Sequence, residues 1–143
     1  MTVRQQISVQ APPAAVWAVL VDIESWPEYV STVTSVRKDT RGALAAGSRV
    51  RVKQPGMPEL TWTVTEFTEG RSFTWIASAA GVTTIGGHRL REATEGGCEL
   101  ELTIEHRGFL APLLRVLTYR RTRRYVGNEA NGMRLRAEAR ARE

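Results

Sequence analysis

Cysteine, lysine and histidine are scarce in this sequence. Its 143 residues include one cysteine, two lysines and two histidines. A lone Cys98 excludes an intrachain disulfide and a multi-cysteine zinc site, and its place on the apolar phase of a strand favours a small core residue. His88 and His106 lie too far apart in sequence for metal-ligand spacing. The sequence therefore predicts neither a metal site nor a bound cofactor.

Long apolar runs are missing, and the chain does not open on a charged-then-apolar leader. Residues 1–10 already alternate as a strand does, which counts against a signal peptide or a membrane span. With 42% hydrophobic residues and four tryptophans, the sequence can bury one sizeable core. We expect a soluble, cytoplasmic protein with a single domain over residues 1–143.

The usual enzyme motifs are absent as well. The chain contains no nucleophile elbow, phosphate loop, HExxH helix or GxGxxG turn. These absences count against hydrolases, kinases and dehydrogenases. They leave cyclisation and dehydration open, because a pocket can promote both by holding a reactive chain beside a few polar groups.

The net charge of +5 belongs mainly to the C-terminal segment. Eighteen of the twenty cations are arginine, and half of those lie between Arg115 and Arg142. The favoured interpretation is the solvated outer face of a helix. Two alternatives use the run YRRTRRY at 119–125: RNA or ribosome binding, which we consider the weaker, and transient contact with a membrane surface.

Residues 7–29 change from strand to helix through the pair Pro12-Pro13. Strand alternation before the pair gives way to the helical spacing of Val16, Leu20 and Ile23 after it, with Trp17 broadening the stripe. This pattern predicts a short amphipathic helix. Asp22 and Ser25 are expected to cap a second short helix, which Pro27 should end.

Five alternating stretches and a glycine-containing sixth then predict strands joined by short turns. The predicted strands cover about 33–40, 49–54, 60–68, 73–77, 82–94 and 98–104. Consecutive strands of this kind form an antiparallel meander with one apolar face. Paired glycines at 86–87 predict a bulge that curves the sheet, a poorly packed edge being the alternative.

The segment 110–141 predicts one long helix that covers the sheet. Arg120, Arg123, Arg124 and Arg134 should lie mainly outside, while Gly127 and Gly132 are sites for a bend. The predicted core-facing stripe contains Leu110, Leu114, Leu117, Thr118, Thr122, Tyr125, Val126 and Met133.

Three phrases in this order resemble the START-like, or helix-grip, superfamily, in particular its polyketide cyclase/dehydrase and lipid-transport branch. They are ISVQAPPAAVWAVLVDIESWPEY, ELTWTVTEFTEGRSFTWI and IEHRGFLAPLLRVLTYRRTRRYVGNEANGMR. The resemblance implies an α+β fold in which a curved antiparallel sheet of about seven strands grips a long C-terminal helix, with two short helices after strand 1. It also implies a cavity between sheet and helix for a hydrophobic or amphipathic molecule that is lipid-like or polyketide-like.

Side chains facing that cavity are the candidate binding residues, with ordinary core filling as the alternative for the aromatic ones. They are Trp62, Val64, Phe73, Trp75, His88, Leu90, Leu114, Thr118, Thr122 and Tyr125. His88 is either a ligand contact or a structural histidine bonded to a helix side chain. Tyr29 and Met57 are expected to border the entrance, whereas Trp17 and Trp26 are expected to anchor packing.

The leading hypothesis is a binding protein for a hydrophobic small molecule. A polyketide cyclase/dehydrase-like enzyme is the main alternative, with His88 and Tyr125 as candidates for proton transfer. A ribosome- or RNA-associated protein is the third. A homodimer is a further possibility.

Overall fold

Seven strands and three helical segments make up the part of the chain that the computed structural model describes, residues 2–93 and 96–142. The helical segments are α1 (Pro13–Val21), a 3₁₀ helix (Ile23–Glu28) and α2 (Ala111–Ala141). The strands are β1 (Thr2–Val9), β2 (Ser35–Lys38), β3 (Arg49–Lys53), β4 (Leu60–Thr68), β5 (Ser72–Ala79), β6 (Val82–Glu92) and β7 (Cys98–Arg107). The predicted strand end at Thr94 and the predicted turn residue Glu95 lie outside the described residues.

All seven strands form one antiparallel sheet. Its order is β1-β7-β6-β5-β4-β3-β2, so that each hairpin partner is a neighbour and β1 returns beside β7. The α1 and 3₁₀ segments connect the two edge strands, and α2 contacts β1, β7 and α1. The predicted fold class, a sheet wrapped around a long terminal helix, is confirmed.

The junction after β1 forms as predicted, but the short second helix differs in detail. Pro12 has an extended backbone and α1 starts at Pro13, where a missing N–H costs nothing. The expected caps are wrong, because neither helical segment has a side-chain cap at its start. Pro27 lies inside the 3₁₀ helix instead of ending it, which so short a helix tolerates because it contains few backbone hydrogen bonds.

The bulge predicted at Gly86 and Gly87 is also wrong. β6 pairs in regular register with both neighbours through these residues, and the register shift in the sheet lies in β4 between Val64 and Glu66. The glycines make room for side chains. A Cβ on Gly86 would lie 2.7 Å from Nε1 of Trp75, and one on Gly87 would meet the Thr103 hydroxyl.

The two halves of α2 differ in how they meet the sheet. The C-terminal half buries small and medium side chains, Val126, Ala130, Met133 and Ala137, against the core. In the N-terminal half, the predicted stripe faces the sheet but is not buried against it, and Leu117 is 72% exposed. Helix and sheet are separated there by a cavity. Within the residues described, no helix is long and apolar enough to span a bilayer.

Candidate ligand-binding cavity

A cavity of about 420 Å³ lies between the N-terminal half of α2 and the concave face of the sheet. Its volume is within the range of pockets that hold small molecules, about 300–1,000 Å³. Side chains from β3 to β7 and α2 form its mostly apolar wall, among them Leu60, Trp62, Trp75, Leu102, Ile104 and Leu114. The space exists because the bulky residues of α2 stay at its rim while the small residues of the other half pack tightly.

The structure brings seven of the ten predicted binding residues to this cavity. They are Trp62, Trp75, His88, Leu114, Thr118, Thr122 and Tyr125. Val64, Phe73 and Leu90 do not line it and lie in the packed core. The indole of Trp17 from α1 reaches the sheet near Phe73, with 6.5 Å between ring centroids, and so fills the space at this end of the concave face.

Five rings form an aromatic cluster at one side of the cavity: Trp26, Trp62, Phe73, Trp75 and His88. Trp75 is central, with ring centroids 5.3 Å from Trp62, 5.6 Å from Trp26 and 5.4 Å from Phe73. Such edge-to-face and offset pairs add to the burial free energy of the rings. The cluster therefore gives this wall a fixed shape.

His88 is 5% exposed and stacks on the ring of Phe73 with centroids 4.1 Å apart. Its Nδ1 lies 3.2 Å from the carbonyl oxygen of Phe73. Since a carbonyl only accepts, Nδ1–H is the donor. Nε2 then faces the Glu129 carboxylate across 3.8 Å, too far for a direct hydrogen bond and near enough for a ligand hydroxyl to contact both groups.

Glu129 is the functional candidate that sequence reasoning missed. It follows Tyr125 by four residues and Thr122 by seven, spacings that place all three on one face of α2. That spacing was visible in the sequence. Glu129 thus gives His88 a carboxylate neighbour on the helix.

Of the other three predicted polar contacts, Thr118 and Tyr125 are already engaged. The Thr118 hydroxyl donates to the Leu114 carbonyl oxygen at 2.7 Å, within its own helix. The Tyr125 hydroxyl donates to the Pro55 carbonyl oxygen at 2.8 Å, so Tyr125 ties α2 to the loop between β3 and β4. Thr122 also lines the cavity, and its hydroxyl has no hydrogen-bond partner among the described residues.

The residues predicted to border the entrance and those predicted to anchor packing do not all lie where the sequence placed them. Met57 lines the cavity, but Tyr29 does not; its hydroxyl donates to the Val19 carbonyl oxygen, and burial raises the pKa of Tyr29. Trp17 anchors packing through its indole N–H, which donates to Glu69 at 3.0 Å. Trp26 packs and also lines the cavity.

Two further titratable groups have shifted pKa values. Burial lowers the pKa of His106, which lines the cavity from β7, and the nearby Arg115 guanidinium lowers it further. Burial raises the pKa of the Cys98 thiol, which favours the unreactive protonated form. Among the residues that the structure describes, no three His, Cys, Asp or Glu side chains group as metal ligands would.

A protein-family model described as polyketide cyclase / dehydrase and lipid transport matches residues 1–138. No curated protein matches the chain in sequence.

Solved structures with the same architecture have low sequence identity, so they show the fold alone. TTHA0849 from Thermus thermophilus is 21% identical, with a TM-score of 0.79 and 99% of each chain covered. The Zhui aromatase/cyclase from Streptomyces sp. R1128 is 18% identical, with a TM-score of 0.77 and coverage of 98% of this chain and 94% of that one. A START superfamily protein from Mycobacterium smegmatis is 12% identical, with a TM-score of 0.69 and coverage of 99% and 97%.

Proposed function

Because the chain belongs to the polyketide cyclase / dehydrase and lipid transport family, we propose that it binds a hydrophobic or amphipathic small molecule in the cavity under α2. The observation that carries this proposal is the cavity itself, about 420 Å³ of space walled by indole rings and aliphatic side chains. An apolar ligand is favoured there because its transfer from water releases about 25 cal/mol per Å² of buried apolar surface.

The polar groups at the wall define the ligand further. Glu129 accepts hydrogen bonds only, and Nε2 of neutral His88 is also an acceptor when Nδ1–H donates to Phe73. Two acceptors side by side favour a ligand that brings a donor, such as a hydroxyl group. The ligand is thus an apolar body with a hydroxyl-bearing end directed at His88 and Glu129.

Filling the cavity tests this proposal. Thr84 on β6 lines the cavity, while its neighbour Thr83 does not and has its hydroxyl 3.0 Å from that of Ser78. A Thr84→Trp side chain should occupy ligand space and weaken binding of the fluorescent amphiphile 1-anilinonaphthalene-8-sulfonate by at least about tenfold, a loss of about 1.4 kcal/mol. Fluorescence titration of the folded variant measures the dissociation constant.

Thr83→Trp is the matched control, because it adds the same side chain next to the cavity residue and should leave the affinity unchanged. Equal affinities of the two variants would contradict binding in the cavity. Native mass spectrometry of wild-type protein and of Thr84→Trp from the same host gives a second measurement. A small molecule retained by the wild type should be missing from the variant.

A cyclase/dehydrase-like activity is the second candidate, and the His88–Glu129 pair favours it. Nε2 of His88, buried and backed by a carboxylate, can take a proton from a bound molecule and return it to a departing hydroxyl group, which leaves as water. The aromatase/cyclase among the structural neighbours shares this fold. Tyr125 is the weaker candidate because its hydroxyl already donates to Pro55.

Glu129→Gln separates the two functions. It keeps the size of the side chain but removes the charge that would stabilise a protonated His88. If the protein is an enzyme, the molecule that it retains should lose water on incubation with wild-type protein. The variant should bind that molecule and convert it about 10²–10⁴ times more slowly. A retained molecule that keeps its mass with both proteins would exclude the dehydrase and leave the binding protein.

A further inference from the structure

The exposed apolar side chains of this protein are concentrated at one place. Among the described residues, seven large hydrophobic side chains are exposed, and all but Leu135 lie within 109–119. We call this segment the apolar end of α2. Phe109 and Val116 are its most exposed members, at 82% and 81%. A contiguous patch of this kind, unlike scattered single residues, marks an interaction surface.

The same part of the chain carries the net charge. Residues 109–128 contain five arginines and no acidic residue, while the rest of the sequence carries fifteen basic and fifteen acidic side chains. Across the described residues, none of the five arginines lies within salt-bridge distance of a carboxylate. They are Arg115, Arg120, Arg121, Arg123 and Arg124.

Along α2, the exposed residues of the apolar end come first and the exposed arginines follow them. Arg120 and Arg123 lie four and seven residues after Val116, on the same side of α2. At 1.5 Å per residue, their Cα atoms are about 6–10 Å further along the axis. This matches a helix end that enters the headgroup region by about 5–10 Å, with arginines that reach back to the phosphate groups.

We propose that the apolar end of α2 docks onto the surface of an anionic lipid bilayer. This goes beyond ligand binding and does not depend on it. A second copy of the chain is a poor occupant, because two such surfaces would bring the exposed Arg120, Arg123 and Arg124 of each copy together, and residues 109–128 contain no carboxylate to pair with them. A nucleic acid would satisfy the arginines but offers no apolar environment to Phe109 and Val116. A bilayer with anionic headgroups satisfies both.

Docking in this way places the cavity mouth at the bilayer. Leu110, Leu113 and Leu117 belong both to the apolar end of α2 and to the cavity wall. A hydrophobic molecule can then pass between bilayer and cavity along aliphatic side chains without crossing water. The docking surface and the cavity are continuous. Val116, Arg120 and Arg123, however, belong to the docking surface and do not line the cavity.

Co-sedimentation of the full chain with lipid vesicles tests the proposal. Wild-type protein should bind vesicles of phosphatidylcholine and phosphatidylglycerol in equal parts, should bind pure phosphatidylcholine far less, and should be released by salt. The pair Arg120→Gln and Arg123→Gln should weaken binding about fivefold for each arginine removed. Val116→Ser should weaken it severalfold through lost apolar insertion.

Matched controls come from α2, from strand β6 and from the residue that follows α2. Leu135→Ser removes an exposed apolar side chain outside the patch, and Arg91→Gln with Arg142→Gln removes two exposed cations elsewhere. Both should bind the anionic vesicles as wild type does. Equal losses in patch and control variants, or equal binding to both vesicle types, would overturn the proposal. So would a wild-type protein that leaves vesicles free and captures a soluble acidic protein instead. The vesicle experiment uses no cavity ligand. If the protein does not bind vesicles, the fluorescence test of the cavity with Thr84→Trp is therefore unaffected.

Discussion

Replacing Trp75 with alanine should lower the free energy of unfolding by about 3–5 kcal/mol, a large part of the stability of a small protein. Trp75 is 5% exposed, and its indole contacts the rings of Trp62, Trp26, Phe73 and His88. Alanine removes the central ring of this aromatic cluster. The neighbouring rings cannot close the gap easily, because the vacated space merges with a cavity that already exists.

Urea unfolding followed by far-ultraviolet circular dichroism measures this loss. Thr74 precedes Trp75 on β5 and points to the other face of the sheet, so Thr74→Ala is the control and should cost far less. Trp75→Phe keeps an aromatic ring and should fall between the two. A Trp75→Ala protein as stable as Thr74→Ala would show that the cluster does not stabilise this part of the core.

The fold was predictable because its signals are local and mutually consistent. Pro12 and Pro13 mark the change from strand to helix, and the alternation in β3, β4 and β7 assigns Val50, Trp62 and Leu100 to the buried face. Each signal depends only on residues close in sequence. Their order along the chain then resembles one superfamily, and the predicted fold class is confirmed.

The candidate site was harder to predict from the sequence than the fold. Alternation of apolar residues identifies which face of the sheet a side chain is on, but not where along that face it lies. Phe73 and Trp75 share the concave face, yet α1 covers the first and the cavity borders the second. Which end of the face α1 covers depends on how it packs across the sheet. The same limit explains Leu117, whose helical phase was right but whose half of α2 lies over empty space.

The paired glycines in β6 show another limit. A glycine pair in a strand is typical of a bulge, and the register across Gly86 and Gly87 is nevertheless regular. Glycine is needed at position 86 because of a side chain on the neighbouring strand β5. The Trp75 indole occupies the volume where a Cβ on Gly86 would be. Such a requirement depends on two strands together, and no pattern within β6 alone could reveal it.

Two glycines of α2 that look equivalent in sequence should respond oppositely to alanine. Gly127 has open surroundings, since among the described residues outside its own helical turn only Gln5 Oε1, at 3.8 Å, lies near an added Cβ. Gly127→Ala should therefore raise the free energy of unfolding by up to about 1 kcal/mol, the gain in helix propensity. Gly132→Ala should instead lower it by about 1–3 kcal/mol, because its Cβ overpacks a tight contact.

The contact at Gly132 explains the sign. An added Cβ would lie 2.7 Å from the Tyr29 carbonyl oxygen and 3.2 Å from Cγ2 of Val30. A backbone oxygen cannot rotate away as a side chain can, so α2 must move from the chain that follows the 3₁₀ helix. Thermal unfolding of both variants measures the difference, and a stabilised Gly132→Ala protein would contradict this close approach.

Gly132→Ala should also affect the cavity. Since Glu129 lies one turn before Gly132, displacement of the helix should widen the gap between Glu129 and His88 and weaken binding of a hydroxyl-bearing ligand.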